Sequence, residues 1–398
     1  MREYSRITPE GTKDILFKEC RLQREVEGRL SRGFLHRGYN EVLTSGLEYF
    51  DVFCLPGAGI PQQEMYKTTD NNGRLIVFRP DSTLPIARMT AARLQNAERP
   101  IRLFYNQAVY RNRPDLSGRS NEIPQMGVEL LGAAGLKADI EIITMAAEAL
   151  SHFGEDFRIE IGHAGLFKAF ADRLTVSAEV RERIRAVIET KNYAALGEQL
   201  SALERTEAVE AIEHLPRLFG DFAALEEAEK YCVDDETKAV LSYLKQLYTA
   251  LSNLGYGSRI LVDLGLVQRN DYYSGVVFSA YVKEYGDAVL AGGRYDNLLE
   301  KFGTAMPAIG FSIDTGSVSE ILFAKDVLPQ NDAARMIVHW EDGCEAQAQE
   351  FIKKRIANGE ICETSLMENL EDCIKYAEKL GITRVIHMTA GDIKEYSI

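Results

Sequence analysis

Long apolar runs are missing from this chain: none approaches the ~18–20 residues of a membrane span, so no membrane association is expected. The first ten residues mix charge and polarity without an apolar stretch, so no secretory signal is expected either. The cysteines Cys20, Cys54, Cys232, Cys344, Cys362 and Cys373 lie scattered, and no two form a CxxC pair. That spacing argues against a zinc site or a disulfide framework and fits free thiols in a reducing cytoplasm. The phosphate-cradling loops GxGxxG and GxxxxGK[ST] are absent. Positive charge is also short, with 46 basic against 60 acidic side chains and a net charge of −14. Nucleic-acid binders draw much of their affinity from phosphate neutralisation, so this deficit lowers the expectation of a tRNA or DNA partner.

What is present is a chain of 398 residues, 45% of them apolar, enough for two or three domains with a sizeable core. Leu22, Val26, Leu30 and Phe34 recur every four residues, predicting an amphipathic helix over 18–38 that ends at Gly38. Residues 74–79 read as a strand and 83–94 as a helix, with Pro85 tolerated in its first turn. Two β-rich runs, 101–111 and 123–133, flank a polar connection at 112–121 and predict a long hairpin. A helix at 137–153 and a strand at 157–161 follow, then a helical insert at about 165–255. Strands return at 259–264, 276–282 and 308–313, with a glycine-rich turn at 291–296 among them. Few βαβ units are visible, so the expected class is α+β, with six or seven mostly antiparallel strands. The first domain is expected to span 1–325. After a linker, residues 333–398 alternate strand and helix as a small α/β domain. Residues 331–398 hold 8 basic and 13 acidic side chains, a net of −5.

Four polar clusters fall at strand ends or turns, where function concentrates. In Phe78-Arg-Pro-Asp-Ser-Thr83, a carboxylate (Asp81) precedes two hydroxyls (Ser82, Thr83) at a strand-to-helix junction. It suits an ammonium group, or equally a helix N-cap. Gln125 and Glu129 lie four apart on a strand and therefore share a face, with Val128 and Leu130 turned to the other. Beside them Arg111, Arg113 and Arg119 could grip a carboxylate or phosphate; a solvated sheet face is the plainer alternative. Tyr272 and Tyr273 lie in Gln268-Arg-Asn-Asp-Tyr-Tyr-Ser-Gly275, where one core and one surface ring would be unremarkable. The fourth cluster is Gly292-Gly-Arg-Tyr-Asp296, whose paired glycines permit close backbone approach.

Taken in order, several of these segments resemble the histidyl-tRNA synthetase family. They are Thr8-Pro-Glu-Gly-Thr-Lys-Asp-Ile15, Glu64-Met-Tyr66, Arg79-Pro-Asp81, Tyr110-Arg-Asn112, Gly118-Arg119, Gln125-Met-Gly-Val-Glu129, Asp271-Tyr-Tyr273 and Gly292-Gly-Arg-Tyr-Asp296. The resemblance covers about residues 5–325 and implies a class II aminoacyl-tRNA synthetase-like antiparallel sheet. It implies a histidine pocket in which Asp81, Ser82, Thr83, Gln125 and Glu129 meet the ammonium and imidazole. Arg111 meets the carboxylate, and Tyr272 and Tyr273 line the slot. It further implies dimerisation near the apolar segment containing Leu47, Tyr49, Phe50, Val52 and Phe53.

Departures from the family carry as much information. The acidic residue expected on the adenine side is Arg113, the arginine before the tyrosine pair is Gln268, and the arginine of the third motif is Ser317. Arg269 is basic but one position out of register. Asp81 stands where the synthetases carry glutamate. Losing one such charge-stabilising group typically costs ~10²–10³ in rate, and several are lost together. The pattern is similar to the regulatory subunits of ATP phosphoribosyltransferase, catalytically inactive synthetase paralogues in histidine biosynthesis. It implies no cofactor, a short-form catalytic subunit as partner, L-histidine as ligand, and a homodimer within a hetero-oligomer. An active histidyl-tRNA synthetase or another synthetase paralogue is the alternative. The C-terminal domain is similar to a truncated anticodon-binding domain, yet acidic where a tRNA-facing surface would be basic.

Overall fold

The computed structural model describes residues 4–55, 60–112, 120–267, 272–283, 285–327 and 335–398. The chain divides into two compact units, Met1–Leu328 and Pro329–Ile398. Strands of the first unit are β1 (Asn40–Glu41), β2 (Leu47–Tyr49), β3 (Lys67–Thr69), β4 (Leu75–Phe78), β5 (Ile101–Tyr110), β6 (Glu122–Leu131), β7 (Phe157–His163), β8 (Phe219–Gly220), β9 (Ile260–Asp263), β10 (Val276–Val282), β11 (Ala288–Arg294) and β12 (Ala308–Asp314). Its helices are α1 (Phe17–His36), α2 (Thr83–Arg93) and α3 (Leu136–Ser151), then α4 (Ala164–Ala171), α5 (Ala178–Glu189), α6 (Tyr193–Ser201), α7 (Glu207–His214), α8 (Phe222–Glu227) and α9 (Asp235–Leu251) of the insert, and last α10 (Thr315–Ala324).

Nine strands form the main sheet, in the order β1-β5-β6-β12-β11-β10-β7-β9-β8. All neighbours are antiparallel except β1 with β5 and β7 with β9. The sequence reading expected six or seven strands. The two-residue edge strands β1 and β8 are too short to leave a period-2 pattern, and the glycine pair of β11 looks like a turn in the sequence. Instead of turning, Gly292 and Gly293 pair in register with Phe311 and Gly310. Their value is close approach: a Cβ on Gly293 would stand 2.7 Å from the Tyr273 ring. The run at 74–79 is a strand, but it lies in a separate small sheet, ordered β2-β4-β3.

Alternation along the strands separates the two faces of the main sheet. Phe104, Val128, Phe311 and Phe278 sit in register on one face and join a large core with α1, α3 and the insert helices. Leu22, Val26, Leu30 and Phe34 are the buried stripe of α1. Gly38 follows at φ +81°, a left-handed conformation that suits glycine. The opposite face carries Tyr105, Gln125, Gly127, Glu129, Gly310, Ser312 and Asp314. A second core, with Leu84, Ile86 and Ala87 of α2, covers part of it. In the segment near which dimerisation is expected, Val52 and Phe53 are buried in this second core, while Leu47 and Tyr49 are exposed.

The second unit holds β13 (Arg335–Trp340), α11 (Glu345–Ala357), β14 (Ile361–Thr364), α12 (Leu370–Leu380), β15 (Arg384–Thr389) and β16 (Asp392–Ser397), in a sheet ordered β14-β13-β15-β16. The final edge strand β16 pairs antiparallel with β15. Its side chains are mostly exposed, so it lacks the apolar alternation that would have marked it in the sequence. No described helix is long and apolar enough to cross a membrane.

Candidate functional site

Glu129 is the centre of the polar face. It lies on β6 between Leu103 of β5 and Gly310 of β12, in a row that continues to Gly293 of β11. The two glycines clear the floor, since a Cβ on Gly310 would overlap the Glu129 carboxylate. Glu129 is 1% exposed. Its Oε1 accepts the Thr83 hydroxyl at 2.8 Å, and its Oε2 accepts the Tyr295 hydroxyl. Burial pushes its pKa up from 4.5 to about 8, against those two donors and with the help of the Asp81 charge. Burial therefore favours a protonated Glu129 at neutral pH.

Asp81 stands just before α2. Its Oδ1 accepts the Leu84 amide at 2.9 Å, so it caps the helix while facing the pocket. The helix-capping reading of this residue is therefore met in the fold. Burial raises its pKa, opposed by the Leu84 amide and the Arg111 charge. Ser82 occupies the N-cap position without a side-chain cap bond and is buried, at the edge of the Tyr105 hydroxyl. Thr83, the first helical residue, is thereby aimed at Glu129. Arg111, just beyond β5, donates from Nε to the Pro80 carbonyl at 3.0 Å, which holds the guanidinium beside Asp81.

Gln125 accepts the Tyr105 hydroxyl at 3.3 Å. The Tyr272 and Tyr273 rings stand 4.9 Å apart, and Tyr272 meets Tyr295 edge-on at 5.8 Å. Tyr272 is buried and Tyr273 half-buried, and both pack on the second core. Burial drives the hydroxyls of Tyr105, Tyr272 and Tyr295 well above their usual pKa of 10, so they remain neutral donors. All eight residues singled out from the sequence gather in one cluster around Glu129 and Tyr105. Tyr295 and Tyr105 had not been singled out. Tyr295 lay within the glycine-rich segment, and Tyr105 within an apolar β-run whose register alone places it opposite Gly127.

Where the synthetase pattern expects an arginine, Ser317 closes a ring of hydroxyls and acid. Its Oγ donates to Asp314 Oδ2 at 2.7 Å and accepts the Tyr285 hydroxyl at 2.7 Å, and its amide donates to Asp314 Oδ1 at 3.0 Å. Asp314 pairs in register with Gln125, so this carboxylate borders the same face. Arg113, Arg119, Gln268 and Asp271 lie outside the described residues. Among the described residues no group of three or more His, Cys, Asp or Glu side chains is placed to hold a metal.

The histidyl-tRNA synthetase family model matches residues 11–318. ATP phosphoribosyltransferase regulatory subunits from Bacillus mycoides and Bacillus cereus are each 37% identical to this chain over 400 residues, covering all of it and 95% of the relative. Among solved structures, an ATP phosphoribosyltransferase regulatory subunit/histidyl-tRNA synthetase from Bacillus halodurans superposes with a TM-score of 0.86 at 28% identity, covering 98% of this chain and 100% of its own. The histidyl-tRNA synthetase of Nostoc shares the fold at a TM-score of 0.78 and 20% identity, over 98% of this chain and 97% of its own. With full-length relatives at 37% identity and a family model matching residues 11–318, the chain belongs to the ATP phosphoribosyltransferase regulatory subunit family, built on the histidyl-tRNA synthetase fold.

Proposed function

We propose that this chain acts without catalysis of its own, as a cytoplasmic subunit that assembles with a short-form ATP phosphoribosyltransferase catalytic subunit and binds L-histidine in the Glu129 pocket. One observation carries the reading. The groups that suit an amino acid are kept, while the groups that would stabilise a phosphate are replaced. Histidine presents an ammonium, a carboxylate and an imidazole. Asp81 offers an acceptor for the ammonium, Arg111 a guanidinium for the carboxylate, and Glu129 with Gln125 a polar slot for the ring. A triphosphate approaching α10 would meet the Asp314 carboxylate, which repels it.

Leu47, Tyr49 and Phe78 lie exposed on the outer side of the small β2-β4-β3 sheet. This surface suits a second copy of the chain, and the homodimer would then join the hetero-oligomer. The test is co-expression with a short-form catalytic subunit, followed by phosphoribosyltransferase assays with and without histidine. Expected results are co-purification, activity that depends on this chain, and inhibition by histidine that Glu129→Ala weakens. An active catalytic subunit that ignores this chain would refute the proposal. Light scattering showing a concentration-independent monomer would refute the dimer.

A further inference from the structure

The pocket does not end at Tyr295. Consecutive residues at the end of a strand leave on opposite faces of a sheet. Tyr295 rises to Glu129, and Arg294 drops through to the large core on the other side. There Arg294 Nε donates to Asp139 Oδ1 of α3 at 2.9 Å, and a second guanidinium nitrogen donates to the same oxygen. The third donates to Asp296 Oδ1 at 2.9 Å and the Ala133 carbonyl at 3.2 Å. The other oxygen of Asp139 accepts the hydroxyl of Tyr243, which lies on α9 of the helical insert. Asp139 is fully buried and Arg294 and Tyr295 nearly so.

We propose that Tyr243 is a positioning residue for the pocket, setting the state of Glu129 through Asp139, Arg294 and Tyr295 across the thickness of the sheet. Each link is mechanically stiff. Arg294 is held by three acceptors, so its fork cannot turn without breaking a buried charged bond. Its main chain is held too, because its carbonyl accepts the Ser274 amide at 2.8 Å and the next amide donates to the Ala308 carbonyl at 2.8 Å. The stem runs against Gly275, where a Cβ would stand 2.8 Å from Arg294 Cδ. Loss of the Tyr243 hydroxyl bond therefore loosens the Asp139–Arg294 pair that helps to pin residues 294 and 295, and with it the seating of the Tyr295 hydroxyl on Glu129.

The differential contact that coupling requires is local. A ligand donor at Glu129 Oε2 competes with the Tyr295 hydroxyl. Occupancy of the pocket thus biases the far end of the chain of bonds, and the insert becomes the element that senses it. This inference deepens the histidine reading above. Its test, however, needs no ligand, so the two can fail separately.

The test follows Glu129 itself, by carboxyl-carbon NMR of the full chain labelled at glutamate, with the signal assigned by its loss in Glu129→Gln. Tyr295→Phe removes a direct donor to the carboxylate, so the titration midpoint rises by about one pH unit or more. Tyr243→Phe leaves the pocket's own side chains untouched. It is expected to raise the midpoint in the same direction by a smaller step. The double variant is expected to titrate with Tyr295→Phe alone, since members of one chain of bonds do not add. Tyr248→Phe, on the same helix but outside the relay, is the control. A Tyr243→Phe protein that loses thermal stability while Glu129 titrates as in the wild type would show a mere helix anchor and overturn the proposal. So would a shift equalled by Tyr248→Phe, or strictly additive shifts in the double variant. Histidine calorimetry on the same proteins reports independently on the ligand.

Discussion

The pH dependence of histidine binding tests the pocket most directly. With its pKa at about 8, Glu129 carries a proton in the empty pocket at pH 7. The free imidazole has a pKa of about 6.5 and is mostly neutral there. Bringing the two together requires one proton between them, as a carboxylic acid facing a neutral ring or a carboxylate facing an imidazolium. Between pH 6.5 and 8 the free partners already hold that one proton, so affinity is expected to be flat. Above pH 8 Glu129 is ionised in the empty pocket, so binding must take up a proton. Affinity then falls about tenfold per pH unit. Below about pH 6.5 both partners are protonated, binding must release a proton, and affinity falls again with the same slope. The strength of the effect follows from burial. Moving the carboxyl from 4.5 to about 8 means that ionisation in the empty pocket costs about 5 kcal/mol, at 1.36 kcal/mol per decade. Calorimetry in buffers of different ionisation enthalpy counts the protons directly. The expected count is zero near pH 7.2, uptake approaching one above pH 8 and release approaching one at low pH. Glu129→Gln cannot ionise, so its alkaline limb is expected to vanish. An affinity that keeps rising through pH 8.5, with no proton uptake, would refute the shared-proton pocket.

Gly310→Ala puts a Cβ into the space of the Glu129 carboxylate; overpacking of this kind costs about 1–3 kcal/mol, so a lower thermal midpoint together with lost histidine binding is expected. His163 is held near pKa 4 by burial, below its ordinary 6.5. The fold therefore favours its neutral form, and its contribution to stability is complete above pH 6.5 and lost as pH falls toward 4. Thermal melts across that range are expected to show a shallower acid loss in His163→Asn, which keeps an acceptor for the Gly165 amide that His163 Nδ1 now receives. Finally, neither the wild type nor Ser317→Arg is expected to catalyse histidine-dependent pyrophosphate exchange, because a new guanidinium there pairs with Asp314; exchange above background in the wild type would overturn the non-catalytic reading.

Much of this architecture was legible in the sequence because it is written in local periodicity. The four-residue stripe of α1, the hairpin strands and the helical insert all bury one side continuously, and burial leaves a pattern. The positions of Asp81, Thr83, Gln125 and Glu129 were legible too, since a polar residue in an apolar strand or at a helix start is conspicuous by itself. The resemblance to a known family implied that they share one amino-acid site. What stayed hidden was whatever depends on strand register. Gly292 and Gly293 look like a turn in one dimension. Only the pairing of β11 with β12 and β10 shows that they sit mid-sheet, without side chains because the Tyr273 ring and neighbouring strands already fill the space. Tyr295 reaches Glu129 from 166 positions away in the chain, and Arg294 reaches Asp139 from 155 away. Local sequence sets the elements and the chemical types near Glu129, because helix and strand propensity and burial pattern act over a few neighbouring residues. The three-dimensional packing sets which groups meet at Glu129, which are buried enough to change their ionisation, and how Tyr243 of the insert meets Asp139 on the far side of the sheet. Desolvation and hydrogen bonding act over a few ångströms in space, and residues at that distance are drawn from the whole length of the chain.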